Sequence, residues 1–298
     1  MRPSTENACD GMRTSGAADA GRDWAMDGAV NTGSVGQISG IGENAPRNGA
    51  CGQEAVQAAG EVRMKPIARI HTDFPEKFGI PRQGLLRDLE SRIVFEPAYR
   101  TEQAVRGIEG FSHLWLLWEF SENRDHPWSP MVKPPRLGGN RRIGVFATRA
   151  PFRPNPIGLT AVRLVRVDLS SAQAPVLIVA GADLMDGTPI LDIKPYLPYA
   201  DSIPDAAGGF AEPLVEKHLV VEFPAEWLEK FPADKREAAK EILREDPRPA
   251  YQSDPSRVYG VAFAGMDIHF TVRDGVLTVR DVVPYHRHPG HKTPPDRN

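Results

Sequence analysis

The sequence predicts a mainly β protein, in which a single-sheeted β-barrel domain precedes a small α/β domain. From residue 64 onward, short apolar runs rich in β-branched and aromatic residues are separated by Gly- and Pro-containing turns. Long amphipathic helices do not alternate with these runs, so a closed or nearly closed barrel is favoured over a doubly wound parallel sheet. After residue 205 a helix signal stands between strand-like runs, which indicates a second unit.

Four segments are expected along the chain. Residues 1–63 are rich in Gly, Ala, Asn and Ser and have no sustained apolar period, so we expect a disordered extension or an upstream start site. Residues 64–204 should form the barrel, and residues 205–285 the α/β domain. Residues 286–298 combine Pro, charge and His, and they are interpreted as a flexible, solvated tail without a metal site.

The barrel strands are predicted from seven runs. They are, in order, KPIARIHT, RIVFEPAY, HLWLLWEF, RIGVFATR, IGLTAVRLVRV, APVLIVAGADLM and PILDIKPYL. Each has the length and the residue types of a strand.

The second unit is predicted from three further signals. It begins with the strand-like run HLVVEF, after which Asp234 and Glu237 form a capping-box-like start for a helix through about Arg244. The runs VYGVAFAGMDIHFTV and VLTVRDVV should be strands joined at Asp274-Gly275, a strong hairpin signal.

Cysteine content and hydropathy exclude several classes of site. Cys9 and Cys51, the two cysteines, both lie within residues 1–63. The expected folded region therefore has no cysteine nucleophile, thiolate zinc site, iron–sulfur centre or disulfide. No run approaches the roughly 18 apolar residues of a membrane span, and no signal-peptide core is present, which predicts a cytoplasmic protein.

Charge is distributed unevenly along the chain. Residues 126–167 contain no Asp or Glu but carry eight cations: Lys133, Arg136, Arg141, Arg142, Arg149, Arg153, Arg163 and Arg166. An acidic segment follows, with Asp183, Asp186, Asp192, Asp201 and Asp205 against Lys194. The asymmetry favours an anionic partner beside a carboxylate-lined pocket, and a plain basic surface with tight turns is the alternative.

Five motifs carry a resemblance to a known family. PPRLGGN, GVFATR, FRPNPIG, DLMDGTPILDIKPYLPY and DPRPAY resemble the bacterial tRNA N6-threonylcarbamoyladenosine methyltransferases, the TsaA-like β-barrel enzymes. The likeness runs from about residue 64 to 284. It implies a β-barrel catalytic domain, S-adenosylmethionine as methyl donor and a homodimer. The implied substrate is adenosine 37, already carrying threonylcarbamoyl, in the anticodon loop of tRNAs that read ACN threonine codons.

The same resemblance implies a cofactor site. Its members would be Pro81, Arg82, Gln83, Ser121, Glu122, Arg149, Leu159, Asp183, Leu184, Met185 and Asp186. Ser121-Glu122 replaces a His-Gln pair of the family, so a backbone contact would survive there and a side-chain contact would not. For Asp183 and Asp186, turn chemistry before Gly187 is the alternative interpretation.

RNA contacts are assigned to the cationic segment. Phosphates would be bound by Lys133, Arg136, Arg141, Arg142 and Arg153. An extruded base could stack on Phe152 or Tyr196. DPRPAY could add a second tRNA contact or could be a rigid junction turn.

No catalytic residue is assigned from the sequence. Methyl transfer from a sulfonium is an in-line displacement that needs no metal and no covalent nucleophile, so positioning dominates. Adenosine N6 is a poor nucleophile, and a group should accept its proton; Asp183 and Asp186 are chemically suited. Two other functions stay open: a non-catalytic RNA-binding barrel, and a methyltransferase that acts on another acceptor.

Overall fold

The structure is a computed structural model, and it describes residues 62–81, 86, 88–134, 141–211, 218–248 and 254–286. These residues are mainly β, which confirms that part of the predicted fold class. The strands are β1 (Ala68–His71), β2 (Glu90–Phe95), β3 (His113–Glu119), β4 (Met131–Val132), β5 (Ile143–Gly144), β6 (Ile157–Asp168), β7 (Val176–Ala180), β8 (Pro189–Pro195), β9 (Val220–Glu222), β10 (Tyr259–Phe263), β11 (Met266–Arg273) and β12 (Val276–Pro284). The α-helices are α1 (Glu102–Val105), α2 (Pro198–Asp201), α3 (Ala225–Leu228) and α4 (Arg236–Arg244).

Six strands form one antiparallel sheet whose pairing closes on itself. The order is β1-β2-β7-β6-β3-β8, and β1 also pairs with β8, with Ala68 opposite Ile190. Alternate residues point to opposite faces of a strand. Leu114 and Leu116 of β3 are therefore fully buried, and so are Thr160 and Val162 of β6. This six-stranded sheet encloses the first hydrophobic core.

The C-terminal part contains a second sheet with its own core. Its order is β10-β11-β12-β9, with β9 parallel to β12, and α4 buries Ala239, Ile242 and Leu243 in the same core. The hairpin at Asp274-Gly275 is present, because β11 ends and β12 begins on either side of it. Both residues have positive φ, 52° and 80°. Two-residue hairpin loops of this kind favour Asp-Gly.

Two predicted strands are shorter than expected. VYGVAFAGMDIHFTV is a hairpin of β10 and β11 instead of one strand, because the chain turns at Ala264 and Gly265, where φ is 48° and 75°. In RIGVFATR only Ile143–Gly144 is a strand, and Val145–Ala147 form a 3-10 turn. Both predictions relied on the apolar content of the run and took no account of a local turn within it.

The predicted helix ends at Arg244 as expected, but its start differs. It begins at Arg236, with Lys235 as the N-cap residue, and the cap makes no side-chain hydrogen bond. Asp234 instead lies in the preceding 3-10 turn, Ala233–Lys235. The capping-box prediction is therefore wrong.

Residues 73–80, called the docking segment below, pack from the end of β1 onto the C-terminal sheet. Phe74 is buried in the second core, with its ring centroid 5.4 Å from that of Phe263. Ala264 N–H donates to Asp73 O at 2.9 Å. A Cβ added at Gly79 would lie 1.9 Å from Val261, so only glycine allows this approach. The docking segment thus packs against the second sheet, although in the sequence it directly follows β1 of the first sheet.

Candidate active site

One cleft collects side chains from three separate parts of the chain. They are the docking segment, the end of β3 with the turn after it, and the loop between β7 and β8. The lining residues are Lys77, Ile80, Trp118, Glu119, Phe120, Ser121, Glu122, Asn123, Asp183, Leu184, Met185 and Thr188.

Backbone hydrogen bonds hold these three parts together. Asp186 N–H donates to Phe74 O at 2.8 Å and joins the β7–β8 loop to the docking segment. Phe120 N–H donates to Pro156 O at 2.8 Å, so the residues before β6 fix the end of β3. The cleft geometry therefore depends on backbone contacts between residues far apart in sequence.

An aromatic pair forms one wall of the cleft. The rings of Trp118 and Phe120 meet edge to face, with centroids 4.3 Å apart. Trp118 Nε1–H donates to the Thr160 hydroxyl at 3.1 Å. A Cβ added at Gly158 would lie 2.3 Å from the Trp118 ring. Glycine at position 158 is thus needed for the ring to occupy this place.

Asp183 is the most perturbed acid of the cleft. Its Oδ1 is shielded from solvent and accepts no hydrogen bond from any described residue. Burial raises the pKa of Asp183 to about 6, against the lowering effects of its own backbone N–H, the Thr160 hydroxyl and the charge of Arg149. The carboxyl therefore changes charge near neutral pH, and an unpaired buried acceptor of this kind can receive a donor.

Asp186, three residues later, has a different environment. Its Oδ1 accepts from Thr72 N–H at 3.1 Å and lies 3.3 Å from His71 Nδ1. Burial alone would raise the pKa of Asp186, but the hydrogen bonds from His71 and Thr72 outweigh it and lower the pKa. Gly187 follows with φ of 77°. Asp186 therefore fixes the turn against β1.

Comparisons with known proteins agree with this architecture. Residues 69–202 match the tRNA-methyltransferase O N-terminal domain, and residues 216–285 match the TrmO C-terminal domain. The chain is 40% identical over 226 residues to the tRNA (adenine(37)-N6)-methyltransferase of Escherichia coli, covering 73% of this chain and 96% of that protein. The chain belongs to the tRNA-methyltransferase O family. A solved structure of TrmO from Pseudomonas aeruginosa is 35% identical, with a TM-score of 0.61 over 75% of this chain and 99% of that chain.

A further relative points to the methyl donor. A Pseudomonas aeruginosa protein called putative S-adenosylmethionine-dependent methyltransferase RcsF is 41% identical over 229 residues, covering 74% of this chain and 96% of that protein.

The structure brings together five of the cofactor residues that the family resemblance implies. Ser121, Glu122, Asp183, Leu184 and Met185 all line the cleft. The five share one surface although they come from two loops about 60 positions apart in the sequence.

The other implied cofactor residues are placed differently. Pro81 is buried directly after the cleft residue Ile80. Arg149 lies near enough to Asp183 to influence its pKa. Leu159 is 48% exposed, on a strand where exposed residues alternate with buried ones such as Thr160. Arg82 and Gln83 lie outside the described residues.

Several residues in and beside the cleft were not predicted from the sequence. Trp118 and Phe120 were interpreted only as part of a strand, and Lys77, Thr160 and Thr188 were not singled out. Glu119 was also missed, although Arg124 binds both of its carboxylate oxygens, at 2.7 and 2.5 Å. The one local signal was the Trp-Glu-Phe sequence at the end of a strand, where side chains commonly reach a ligand.

A short hairpin carries the cationic residues. Val132 of β4 pairs with Ile143 of β5, so Lys133, directly after β4, and Arg142, directly before β5, lie at the same end of the strand pair. Lys133, Arg141 and Arg142 are exposed. The predicted phosphate contacts therefore cluster at one end of this hairpin, while Arg136 lies outside the described residues.

Arg153 braces the loop before Arg149. Its Nη1 donates to Val145 O at 3.2 Å and to Thr148 O at 2.7 Å. Its guanidinium lies 5.7 Å from the centroid of the Phe146 ring. Arg153 thus has a structural role beside the RNA contact predicted for it.

The described residues contain neither a membrane-spanning helix nor a metal-binding cluster. No helix among them is long and apolar enough to cross a membrane. No group of three or more His, Cys, Asp or Glu side chains in these ranges could hold a metal ion.

Proposed function

We propose that this protein transfers the methyl group of S-adenosylmethionine to N6 of adenosine 37 in tRNA. One observation carries the proposal: the chain matches both domains of the family and covers 96% of the Escherichia coli tRNA (adenine(37)-N6)-methyltransferase. The six-stranded sheet, working as a closed barrel, would be the catalytic domain, with the cleft as its active site.

The residues of the cleft fit S-adenosylmethionine. When bound, this cofactor supplies an electrophilic methyl group on a sulfonium cation. The faces of Trp118 and Phe120 suit an adenine ring or the cationic sulfur. The Asp183 carboxyl suits a hydroxyl or amino donor, and Arg149 or Lys77 can pair with the carboxylate of the methionine moiety. The apolar side chains of Leu184 and Ile80 would exclude water from the reacting atoms.

The finer substrate proposed is N6-threonylcarbamoyladenosine in tRNAs that read ACN threonine codons. The motifs of the family resemblance, DLMDGTPILDIKPYLPY above all, support this choice. The threonyl group carries a carboxylate, so an exposed cationic residue such as Arg142 would attract it. The phosphates of the anticodon loop would bind Lys133, Arg136, Arg141, Arg142 and Arg153.

A homodimer is the proposed assembly. Several large apolar side chains between residues 128 and 159 are exposed to solvent in one chain. They are Trp128, Met131, Phe146, Phe152, Ile157 and Leu159. Phe146 and Ile157 share one surface beside Arg153, and contiguous exposed apolar residues are typical of an interaction surface.

The test is methylation in vitro followed by nucleoside mass spectrometry. Purified protein, S-adenosylmethionine and tRNA that carries threonylcarbamoyl should give that nucleoside a mass gain of one methyl group. Matched tRNA without threonylcarbamoyl should give no product. Methylation of a different nucleoside would favour another acceptor, and tRNA binding without cofactor binding would favour a non-catalytic RNA-binding barrel.

A further inference from the structure

The loop between β7 and β8 carries two carboxyl groups, those of Asp183 and Asp186, which differ in their hydrogen bonding. Asp186 is held by His71 and Thr72 at the turn and does not line the cleft. Asp183 lines the cleft, and its Oδ1 accepts no hydrogen bond from any described residue. Of these two acids, Asp183 is therefore the one that both lines the cleft and has an oxygen unpaired among the described residues.

The other acids of the cleft are less suited to accept a proton. Glu119 has both oxygens bound by Arg124. Glu122 follows the end of β3 in a 3-10 turn and already takes part in another interaction. Lys77 lines the same cleft, and the charge of Arg149 favours the ionised form of Asp183.

We propose that Asp183 is the catalytic residue that accepts the N6 proton during methyl transfer, an inference that rests on the proposed function. N6 forms a bond to the methyl carbon as the carbon–sulfur bond breaks, and the electron pair of that bond stays on sulfur. The N6–H bond breaks, and its proton passes to the carboxylate oxygen. The products are the thioether, the N6-methylated nucleoside and a protonated Asp183, which then loses its proton to solvent.

Thr160 and Trp118 act as positioning residues for this carboxyl. The indole N–H of Trp118 donates to the Thr160 hydroxyl at 3.1 Å, and the Thr160 hydroxyl in turn lowers the pKa of Asp183. Both residues are fixed in the six-stranded sheet, where Thr160 is 1% exposed. In the proposed reaction this arrangement orients the carboxyl, whose Oδ1 accepts no hydrogen bond from the described residues, toward the substrate.

The main experiment compares Asp183→Asn with Asp88→Asn in single-turnover methylation at saturating S-adenosylmethionine. General-base catalysis typically contributes 10²–10⁴-fold, so Asp183→Asn should slow the reaction by about 100-fold or more. Because Asp183 also belongs to the proposed cofactor site, calorimetry measures the cofactor dissociation constant of the variant, and saturating cofactor restricts the comparison to the chemical step. Asp88, whose side chain is 97% exposed, is the matched control, and Asp88→Asn should react within about threefold of the original rate.

A pH profile tests the same group independently. The rate of the original protein should rise with pH through about 6 and then level off, since the carboxylate is the active form. Thr160→Val removes a hydrogen bond that lowers the Asp183 pKa, so the midpoint should move to higher pH. If Asp183→Asn does not fold, the pH profile of Thr160→Val still tests whether Asp183 accepts the proton.

Three results would overturn the inference. One is a rate for Asp183→Asn within tenfold of the original, and another is an unshifted midpoint in Thr160→Val. The third is a defect of Asp183→Asn that saturating cofactor removes, which would make Asp183 a cofactor contact only. If the original protein methylates no tRNA, the proposed function fails first, and the two failures are thereby distinguished.

Discussion

The hydroxyl of Tyr285 donates a hydrogen bond of 2.6 Å to Oε1 of Glu76. This contact joins the residue after β12 to the docking segment. Lys235 Nζ, at the start of α4, lies 2.5 Å from Oδ2 of Asp73 at the other end of that segment. Because Lys77 and Ile80 of the docking segment line the cleft, the C-terminal sheet supports one wall of the candidate active site.

Removing the Tyr285–Glu76 and Lys235–Asp73 contacts should weaken the packing of the docking segment beside the cleft. The double variant Lys235→Met/Tyr285→Phe should weaken S-adenosylmethionine binding about tenfold, because each hydrogen bond contributes on the order of 1 kcal/mol. Calorimetry measures the change. The matched control is Lys240→Met/Tyr199→Phe, which alters an exposed ion pair of the same helix and a tyrosine that is 87% exposed. Equal affinities for the two double variants would contradict the support role.

Gly158→Ala should disturb the aromatic wall. The new methyl group would overlap the Trp118 ring, which has to move and lose its hydrogen bond to Thr160. We expect cofactor affinity to fall about tenfold or more, and the unfolding temperature to drop by several degrees, since overpacking typically costs 1–3 kcal/mol. Gly110→Ala is the control, because a Cβ there meets nothing within 4 Å. An unchanged affinity would show that the ring position is not needed for binding.

Arg141→Ala/Arg142→Ala should weaken tRNA binding and leave cofactor binding unchanged. Each lost phosphate contact lowers the slope of log affinity against log salt by about 0.7 to 0.9, so the slope should fall by about 1.5. Filter binding at several salt concentrations measures it. Arg92→Ala/Arg106→Ala removes the same charge from other exposed positions and serves as the control. A slope equal to that of the control would remove these residues from the RNA contact.

Asp183 and Asp186 should affect stability in opposite directions. The pKa of Asp183 is raised from 3.8 to about 6, so its stabilising effect is present below pH 4 and is lost as pH rises through 6, at most about 3 kcal/mol. Asp183→Asn should therefore raise the unfolding temperature at pH 7.5 and change it little at pH 4.

Asp186 should have the opposite effect on the pH dependence of stability. Its pKa is lowered, so its contribution is present above the ordinary value and is lost on acidification. Asp186→Asn should lower the unfolding temperature at pH 7.5. Differential scanning calorimetry at the two pH values checks both variants, and shifts of the same sign at pH 7.5 would refute this electrostatic account.

Sequence motifs located part of the site and left the rest unseen. The Asp-Leu-Met triplet at 183–185 was identified because it belongs to a long, distinctive motif, and it lies in the cleft. The docking segment was not identified, because the burial of Phe74 against Phe263 joins positions nearly 200 residues apart and leaves no local pattern. The distinction between Asp183 and Asp186 likewise required the partners that only the fold supplies.

The placement of Phe74 also has a consequence during synthesis on the ribosome. Strand β1 pairs with β8, so the six-stranded sheet cannot close until Ile190 has left the exit tunnel. At that stage Phe263 and the rest of the second core, against which Phe74 packs, have not yet been synthesised. The same holds for Tyr285, the hydrogen-bond partner of Glu76. A nascent chain thus completes its cleft only after residue 285 has been synthesised, so the proposed cofactor site forms after the C-terminal sheet.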